Sequence, residues 1–397
     1  MKKHIFILWA ALLPGFAFSQ QKQLIKQDSL YKYVQPFAVV QMWSTYTMGE
    51  KARLTPDGPL EPVGDRLNFT ARRARIGFKG SPYKRFSYYL SLFYDNLGRD
   101  RYSGTRAGVN DGQIGVWDAF MSWKMSSKHD LATLTFGYFR PQLSRESITA
   151  FSAVNSLEKS LSQTYIRQHM MGKNHGRTMG INIGGLKKEG FVSVNYNAGI
   201  FNNNTTSSQT ETSGKLYSPL VTGRLAFSFG DPEMEKYSIS YDVNYFNKRK
   251  GVTIGVNTSR QGKTDIYNLN TTKGVDVLVN FSNLNIDGEW ISLDRYKEGK
   301  HIHAQTGHIR GGYNLIIDEK VFIEPAFLMT FYDGQEGGQF NGRDRVYDAG
   351  INWYMNKKNC KLSLHYVWQA GNGKNGYTDG VTFEKGDYAG LGFQIML

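Results

Sequence analysis

From Gln35 onward the chain repeats one pattern: short segments in which apolar and polar residues alternate, separated by Gly, Asn, Asp, Pro and Lys. Phe86, Tyr88, Leu90, Leu92 and Tyr94 alternate with Ser87, Tyr89, Ser91 and Asp95. Trp117, Ala119, Met121 and Trp123 oppose Asp118, Phe120, Ser122 and Lys124, and Val192, Val194, Tyr196, Ala198 and Ile200 oppose Ser193, Asn195 and Asn197. Tyr237, Ile239, Tyr241, Val243 and Tyr245 repeat the pattern, as do Leu362, Leu364, Tyr366 and Trp368. A period of two predicts β-strands with one greasy and one polar face. At about 20–25 residues per strand and connection, the chain has room for about 16 of them. Connections alternate too: Asn247–Gly251 and Asn356–Asn359 are short, whereas Gly98–Gln113, Asn202–Ser218 and Ala370–Lys385 are long and polar.

The segment Asn68–Gly80 poses the choice of solvent most sharply. Read by strict alternation, Thr70, Arg72, Ala74, Ile76 and Phe78 form one face, and Ala71, Arg73, Arg75, Gly77 and Lys79 the other. In a soluble sandwich or propeller the greasy face would meet a core. In an outer-membrane barrel it meets lipid, and the basic face lines a water-filled lumen. By this reading Arg72 falls on the lipid side, where it would have to lie at a membrane edge or snorkel to the headgroups.

The N-terminus favours the barrel. Met1-Lys2-Lys3, the apolar run Ile5–Phe16 and Ala17-Phe18-Ser19 read as a signal peptide over residues 1–19. Residues 20–34 form a polar periplasmic lead-in, and residues 35–397 the barrel. No later segment approaches 18 consecutive apolar residues, so strands rather than helices would do the crossing. A hydrophobic content of 40% suits this, since only alternate strand residues meet lipid. The aromatic content of 14% supplies interfacial girdles. Cys360 is the only cysteine, so no disulfide framework exists. No blade motif repeats as a propeller would require.

One region breaks the rhythm. After the strand Leu131–Phe139, residues 140–172 carry Arg140, Arg145, Glu146, Lys159, Arg167 and His169, with helical spacing in Ser144–Leu161. So long an insertion either folds into the lumen and narrows it or packs outside the barrel. The fold expected is therefore all-β: a transmembrane antiparallel barrel of about 16 strands, with long external loops and a constriction loop.

The net charge of +14 in the sequence falls to +12 once the leader takes Lys2 and Lys3 with it. Arg73 and Arg75 would stand as successive rungs on the lumen wall, with Lys79 beyond them. Guanidinium groups stay charged and match carboxylate or phosphate geometry, so a column of them offers an anion several shallow sites. The candidate anion pathway is Arg73, Arg75, Lys79, Arg140, Arg145, Lys159 and Arg167. The competing reading pairs these arginines with lumen carboxylates such as Asp95 and Asp118, purely to brace the wall. Nucleic acid is not an expected partner, because the chain is exported and has no binding motif.

Phe69-x-x-Arg72-Arg73-Ala74-Arg75-Ile76-Gly77-Phe78-Lys79-Gly80 resembles the early signature strand of the phosphate-selective porin O and P family. Trp117-Asp118-Ala119-Phe120 with Phe136-Gly137-Tyr138-Phe139-Arg140-Pro141 is similar to that family's next block, and Asp348–Tyr354 and Leu362–Trp368 fit its C-terminal strands. The resemblance implies a 16-stranded, homotrimeric porin of the Gram-negative outer membrane, with an Arg- and Lys-lined path for small anions such as phosphate. Two features depart from it. The chain ends Phe393-Gln394-Ile395-Met396-Leu397 rather than on an aromatic residue, and basic residues do not recur regularly across many strands.

No enzyme and no cofactor is expected. None of the histidines sits in a nucleophile motif such as G-x-S-x-G. His301 and His303 share one strand face and His308 lies on the other, so these three do not converge as metal ligands. Asp287 and Glu289 share a face as wall polarity. The same alternation would also build a non-conducting barrel serving as a structural subunit of a larger outer-membrane assembly, which is the alternative function.

Overall fold

The computed structural model describes residues 33–53, 58–106, 114–172, 176–203, 214–335, 341–371, 375–378 and 381–397. The expected leader over 1–19, all but the end of the expected lead-in over 20–34, and parts of the long loops expected at Gly98–Gln113, Asn202–Ser218 and Ala370–Lys385 lie outside the described residues.

Sixteen long strands form the wall: β1 Gln35–Met48, β2 Arg66–Tyr83, β3 Phe86–Leu97, β4 Gly115–Lys124, β5 Thr133–Phe139, β6 Thr178–Glu189, β7 Val192–Phe201 and β8 Leu220–Gly230. They continue as β9 Lys250–Gln261, β10 Leu269–Phe281, β11 Leu284–Lys297, β12 Lys300–Tyr313, β13 Phe322–Gln335, β14 Asn341–Tyr354, β15 Cys360–Gly371 and β16 Asp387–Met396. Each pairs antiparallel with its sequence neighbours, and β16 returns to β1 from Val39 opposite Met396 to Met48 opposite Asp387. Closure leaves no free sheet edge, which a strand in lipid requires. Among the described residues, no helix is long and apolar enough to cross a membrane.

The burial pattern is inside-out. On β9 and β10 the apolar Ile254 and Val275 are each 50% exposed, whereas inward Thr253, Asn257 and Asp276 are buried. Lipid is the solvent that makes such a surface stable. Exposed aromatics form two belts: Tyr83, Phe86, Trp123, Phe281, Tyr313 and Trp353 at one end of the strands, and Tyr46, Phe69, Tyr296 and Tyr366 towards the other. Turns such as Lys84–Arg85 and Ser282–Asn283 mark the first as the periplasmic end. At the external end, Lys51–Arg53 pairs with both Glu61–Pro62 and Val381–Glu384, tying the first external loop to the last.

One expected strand is absent. Residues 231–249, including the Tyr237–Tyr245 alternation, connect β8 to β9 from the periplasmic end and turn into the lumen. Tyr241 exchanges backbone hydrogen bonds with the 140–172 insertion, its N–H donating to Ile148 O at 3.3 Å and its carbonyl accepting from Ala150 N at 2.9 Å. Alternation marks a segment with two different sides. Here those sides are the barrel wall and the inserted loop rather than lipid and water.

Candidate functional site

Two β-bulges build the lumen wall. In β2, Gln41 faces Arg73 and Met42 faces Ala71, so Arg72 is an extra residue. A bulge shifts the alternation by one. Thr70 and Arg72 before it, and Arg73, Arg75 and Gly77 after it, all turn inward and are buried, while Phe69 is 68% and Ile76 60% exposed. This corrects the strict-alternation faces: Arg72 needs no snorkelling and joins a triplet of lumen arginines. In β4, Asp118 faces Ser91 while Val116 faces Leu92, leaving Trp117 as the extra residue. Trp117 therefore turns inward rather than to lipid. Arg75 and Arg177 lie against its ring at 3.5 and 3.6 Å from the centroid.

The arginine triplet is held by carboxylates. Arg72 donates through Nε to Glu158 Oε2 at 2.8 Å and through Nη1 to Asn96 at 3.0 Å. Arg73 meets Glu158 at 2.5 Å and Gln41 at 2.6 Å. Burial alone would raise the Glu158 carboxyl, but Arg72 and Arg73 overcome it and hold it below the usual carboxylate range. Arg75 pairs with Asp95 at 2.7 Å and Arg177 with Asp118 at 3.2 Å. Arg73 and Arg75 thus each have a carboxylate partner, as the bracing reading expects.

The 140–172 insertion folds into the lumen and is clamped there. Ser144 caps the short helix α1 (Arg145–Ile148), accepting from Ser147 N at 3.2 Å. Arg145 is completely buried, at 2.6 Å from Glu233, 3.5 Å from Asp276 and 3.8 Å from Asp287. Arg310 from β12 closes on Glu146 at 3.0 Å and Asp287 at 2.7 Å. Helix α2 (Ser162–Met171) lies against the β10–β13 wall, with Ser162 Oγ donating to Glu289 at 2.8 Å. Further along, Leu157 N donates to Asp348 at 2.9 Å and Asn155 to Glu324 at 3.1 Å on the far wall. Arg145 is an anchor of the loop and faces no open path.

Three cations of the insertion differ from all of these. Arg140 donates to the carbonyls of Ser147 at 3.0 Å and Thr149 at 2.8 Å, and to Ser240 Oγ at 3.3 Å. Arg167 shares the Ser147 carbonyl at 3.4 Å, and Lys159 shares that of Thr149 at 2.9 Å. Among the described residues none of these three side chains has a carboxylate hydrogen bond or ion pair, although the Lys159 backbone N–H donates to Glu158 at 2.9 Å. Burial first, then Arg167, Arg140 and Arg177, push the Lys159 ammonium well below the ordinary lysine range, with Glu146 opposing. Arg167 is lowered likewise by burial, Arg177 and Arg140. Arg140 and Arg167 are largely buried but keep some contact with solvent, and Lys79 is exposed further along β2, its ammonium 5.9 Å from the Phe37 ring.

Inward residues that keep contact with solvent concentrate on β3 and β4: Tyr89, Asp118, Phe120, Ser122 and Lys124. Here a row of rings crosses the wall. Phe37 stacks on Tyr89 at 5.0 Å, Tyr89 on Phe120 at 5.4 Å, and Phe139 follows at 5.7 Å. The row depends on Gly77, where a Cβ would collide with the Phe37 ring. On the β7–β15 side, by contrast, the insertions bury the inward polar residues, with Tyr237 donating to Asn197 at 2.6 Å and Tyr241 to Asn195 at 2.6 Å.

Comparison with known proteins fits this architecture. The family described as phosphate-selective porin O and P matches residues 56–397. No curated protein matches the chain. Among solved structures, OprB of Pseudomonas putida is similar with a TM-score of 0.61 at 10% identity, over 94% of this chain and 96% of that one. An anion-selective porin from Comamonas acidovorans gives 0.56 at 13% identity, over 92% and 99%. The outer-membrane channel DcaP of Acinetobacter baumannii gives 0.50 at 13%, over 92% and 97%. At such identities the likeness is one of fold. The chain belongs to the phosphate-selective porin O and P family and is a porin of the Gram-negative outer membrane.

Proposed function

We propose that this porin passes small anions, inorganic phosphate and small organic acids among them, along the β2–β5 side of its lumen and past Arg140, Lys159 and Arg167. The observation that carries the reading is that, among the described residues, the side chains of these three neighbouring cations donate to backbone carbonyls or a hydroxyl and to no carboxylate. Their mutual repulsion is relieved by an anion in the path, and low-dielectric walls focus their field into it. Arg72, Arg73, Arg75 and Arg177 stand behind them, each offset by Glu158, Asp95 or Asp118, which keeps the attraction shallow enough for release. The half-exposed Phe37, Tyr89 and Phe120 give an organic acid an apolar surface beside the cations. No step of chemistry is asked of the site: the protein is a channel rather than an enzyme. The family relationship supports a homotrimer embedded in outer-membrane lipid.

The second reading, a barrel that conducts little and serves an assembly, draws on the two insertions that fill the opposite half of the lumen. Uptake by reconstituted liposomes separates the two. Labelled phosphate and benzoate should enter faster than choline. Equal exclusion of all three supports the structural subunit, and preference for choline overturns the anion pathway.

A further inference from the structure

Outside the lumen, on the outer face of the barrel near its external rim, three metal-ligating side chains meet. His303 lies directly opposite Asp294 in the β11–β12 ladder, and His301, two residues before it, points to the same face. His301 Nε2 and His303 Nδ1 each lie 2.9 Å from Asp294 Oδ1. All three ligand atoms fall within 4.8 Å of one another. We propose that Asp294, His301 and His303 bind a borderline divalent transition-metal ion, of which Zn²⁺ is the natural probe. This site is independent of the anion pathway, being on the other side of the wall.

The donor set selects the ion class. Two imidazoles and a carboxylate suit Zn²⁺, Cu²⁺ or Ni²⁺, whereas Ca²⁺ and Mg²⁺ favour all-oxygen shells. Ligands about 2.0–2.1 Å from one metal at tetrahedral or square angles stand about 3 Å apart, close to the imidazole–carboxylate spacing found here. The ligands are also held in place. Ser292 Oγ donates to the other Asp294 oxygen at 2.8 Å, leaving Oδ1 to the two rings. Tyr296, opposite His301, stacks on its ring at 4.5 Å with planes 9° apart. Such supports orient metal ligands and raise affinity. Both histidine side chains are 47% exposed, so an ion has access and open positions remain for water or a neighbouring molecule's donor.

The other convergent set, Glu146, Asp287 and His308, differs in kind. Arg310 already occupies it with ion pairs to both carboxylates, and all of its members are fully buried. It clamps the constriction loop.

The test is calorimetric titration of the full, tag-free protein in detergent with ZnCl₂. One saturable Zn²⁺ per chain is expected, undisturbed by equimolar Ca²⁺. The double variant H301A/H303A should lose it by more than about 100-fold, and Ser292→Ala should weaken it about 10-fold. Absence of saturable binding, displacement by Ca²⁺, or binding indifferent to the double variant would overturn the proposal. Wild-type protein gives an independent readout should that variant misfold. Bound Cu²⁺ should show electron-spin-resonance coupling to two imidazole nitrogens, and a spectrum without nitrogen coupling would overturn the site.

Discussion

Neutralising Arg140 and Arg167 together, as R140Q/R167Q, removes two positive charges from the solvent-contacting side of the constriction. Glutamine is neutral and keeps an N–H donor beside the Ser147 carbonyl that both guanidiniums now share, at 3.0 and 3.4 Å, while the shorter side chain gives up the Arg140 bonds to Thr149 and Ser240. An anion in contact with one guanidinium, about 4 Å from its charge, gains about 1 kcal/mol at the dielectric constant of water and about 4 kcal/mol at an effective value of 20. The lower figure alone is about fivefold in a permeability ratio. Each lost charge should therefore lower the anion-to-cation permeability ratio by at least about fivefold. The assay is the reversal potential of the purified protein in planar bilayers under a KCl gradient, at about 0.1 M where the screening length is about 10 Å. Heat-modifiable migration confirms that the variant is folded. A folded double variant with the wild-type reversal potential would refute the reasoning, because the pathway would then not pass these residues.

Three further outcomes follow from the same contacts. Arg310→Met removes the arginine shared by the buried carboxylates Glu146 and Asp287, leaving Asp287 with only Arg145 and His308, and should cost about 3–5 kcal/mol, read as a lower thermal unfolding temperature with noisier currents as the loop loosens. Burial, with Arg167, Arg140 and Arg177 nearby, depresses the basicity of Lys159 well below the ordinary lysine range, so raising the pH should neutralise it. Anion preference should then fall at a pH below the ordinary lysine range, and Lys159→Met should abolish that step. Replacing residues 234–246 by a short Gly-Ser turn removes the tyrosines that hold the periplasmic insertion in the lumen and should raise single-channel conductance.

The barrel was legible because a strand in lipid states its environment twice, once on each face. The faces of β3, β7 and β15 stand as alternation places them, and the closing strand keeps Phe393 outward although no terminal aromatic follows. What alternation could not carry was any place where one residue is added. The bulge at Arg72 reverses the faces assigned to Thr70, Ala71 and Arg72, and that at Trp117 the face of Trp117; Arg72 and Trp117 are among the residues that shape the basic wall. Arg72-Arg73 adjacency was the available signal, since two successive arginines can both face water only across a bulge. The Tyr237–Tyr245 segment misled for another reason. A polypeptide lying between a lumen wall and an inserted loop has two unlike sides, as a membrane strand does. Asp231-Pro232 just before it hinted at a break. The histidines show the limit of reading one strand at a time: His301 and His303 share a face as expected, but Asp294 reaches them only through cross-strand register.

The account rests on the lumen favouring negative charge. Its most direct test is the reversal potential of the unmodified protein in planar bilayers under a tenfold KCl gradient. An anion-favouring lumen gives an open channel whose reversal potential lies on the chloride side of zero and shifts further from zero as ionic strength is lowered. A cation-selective potential, or a correctly folded barrel that passes no current, would contradict it.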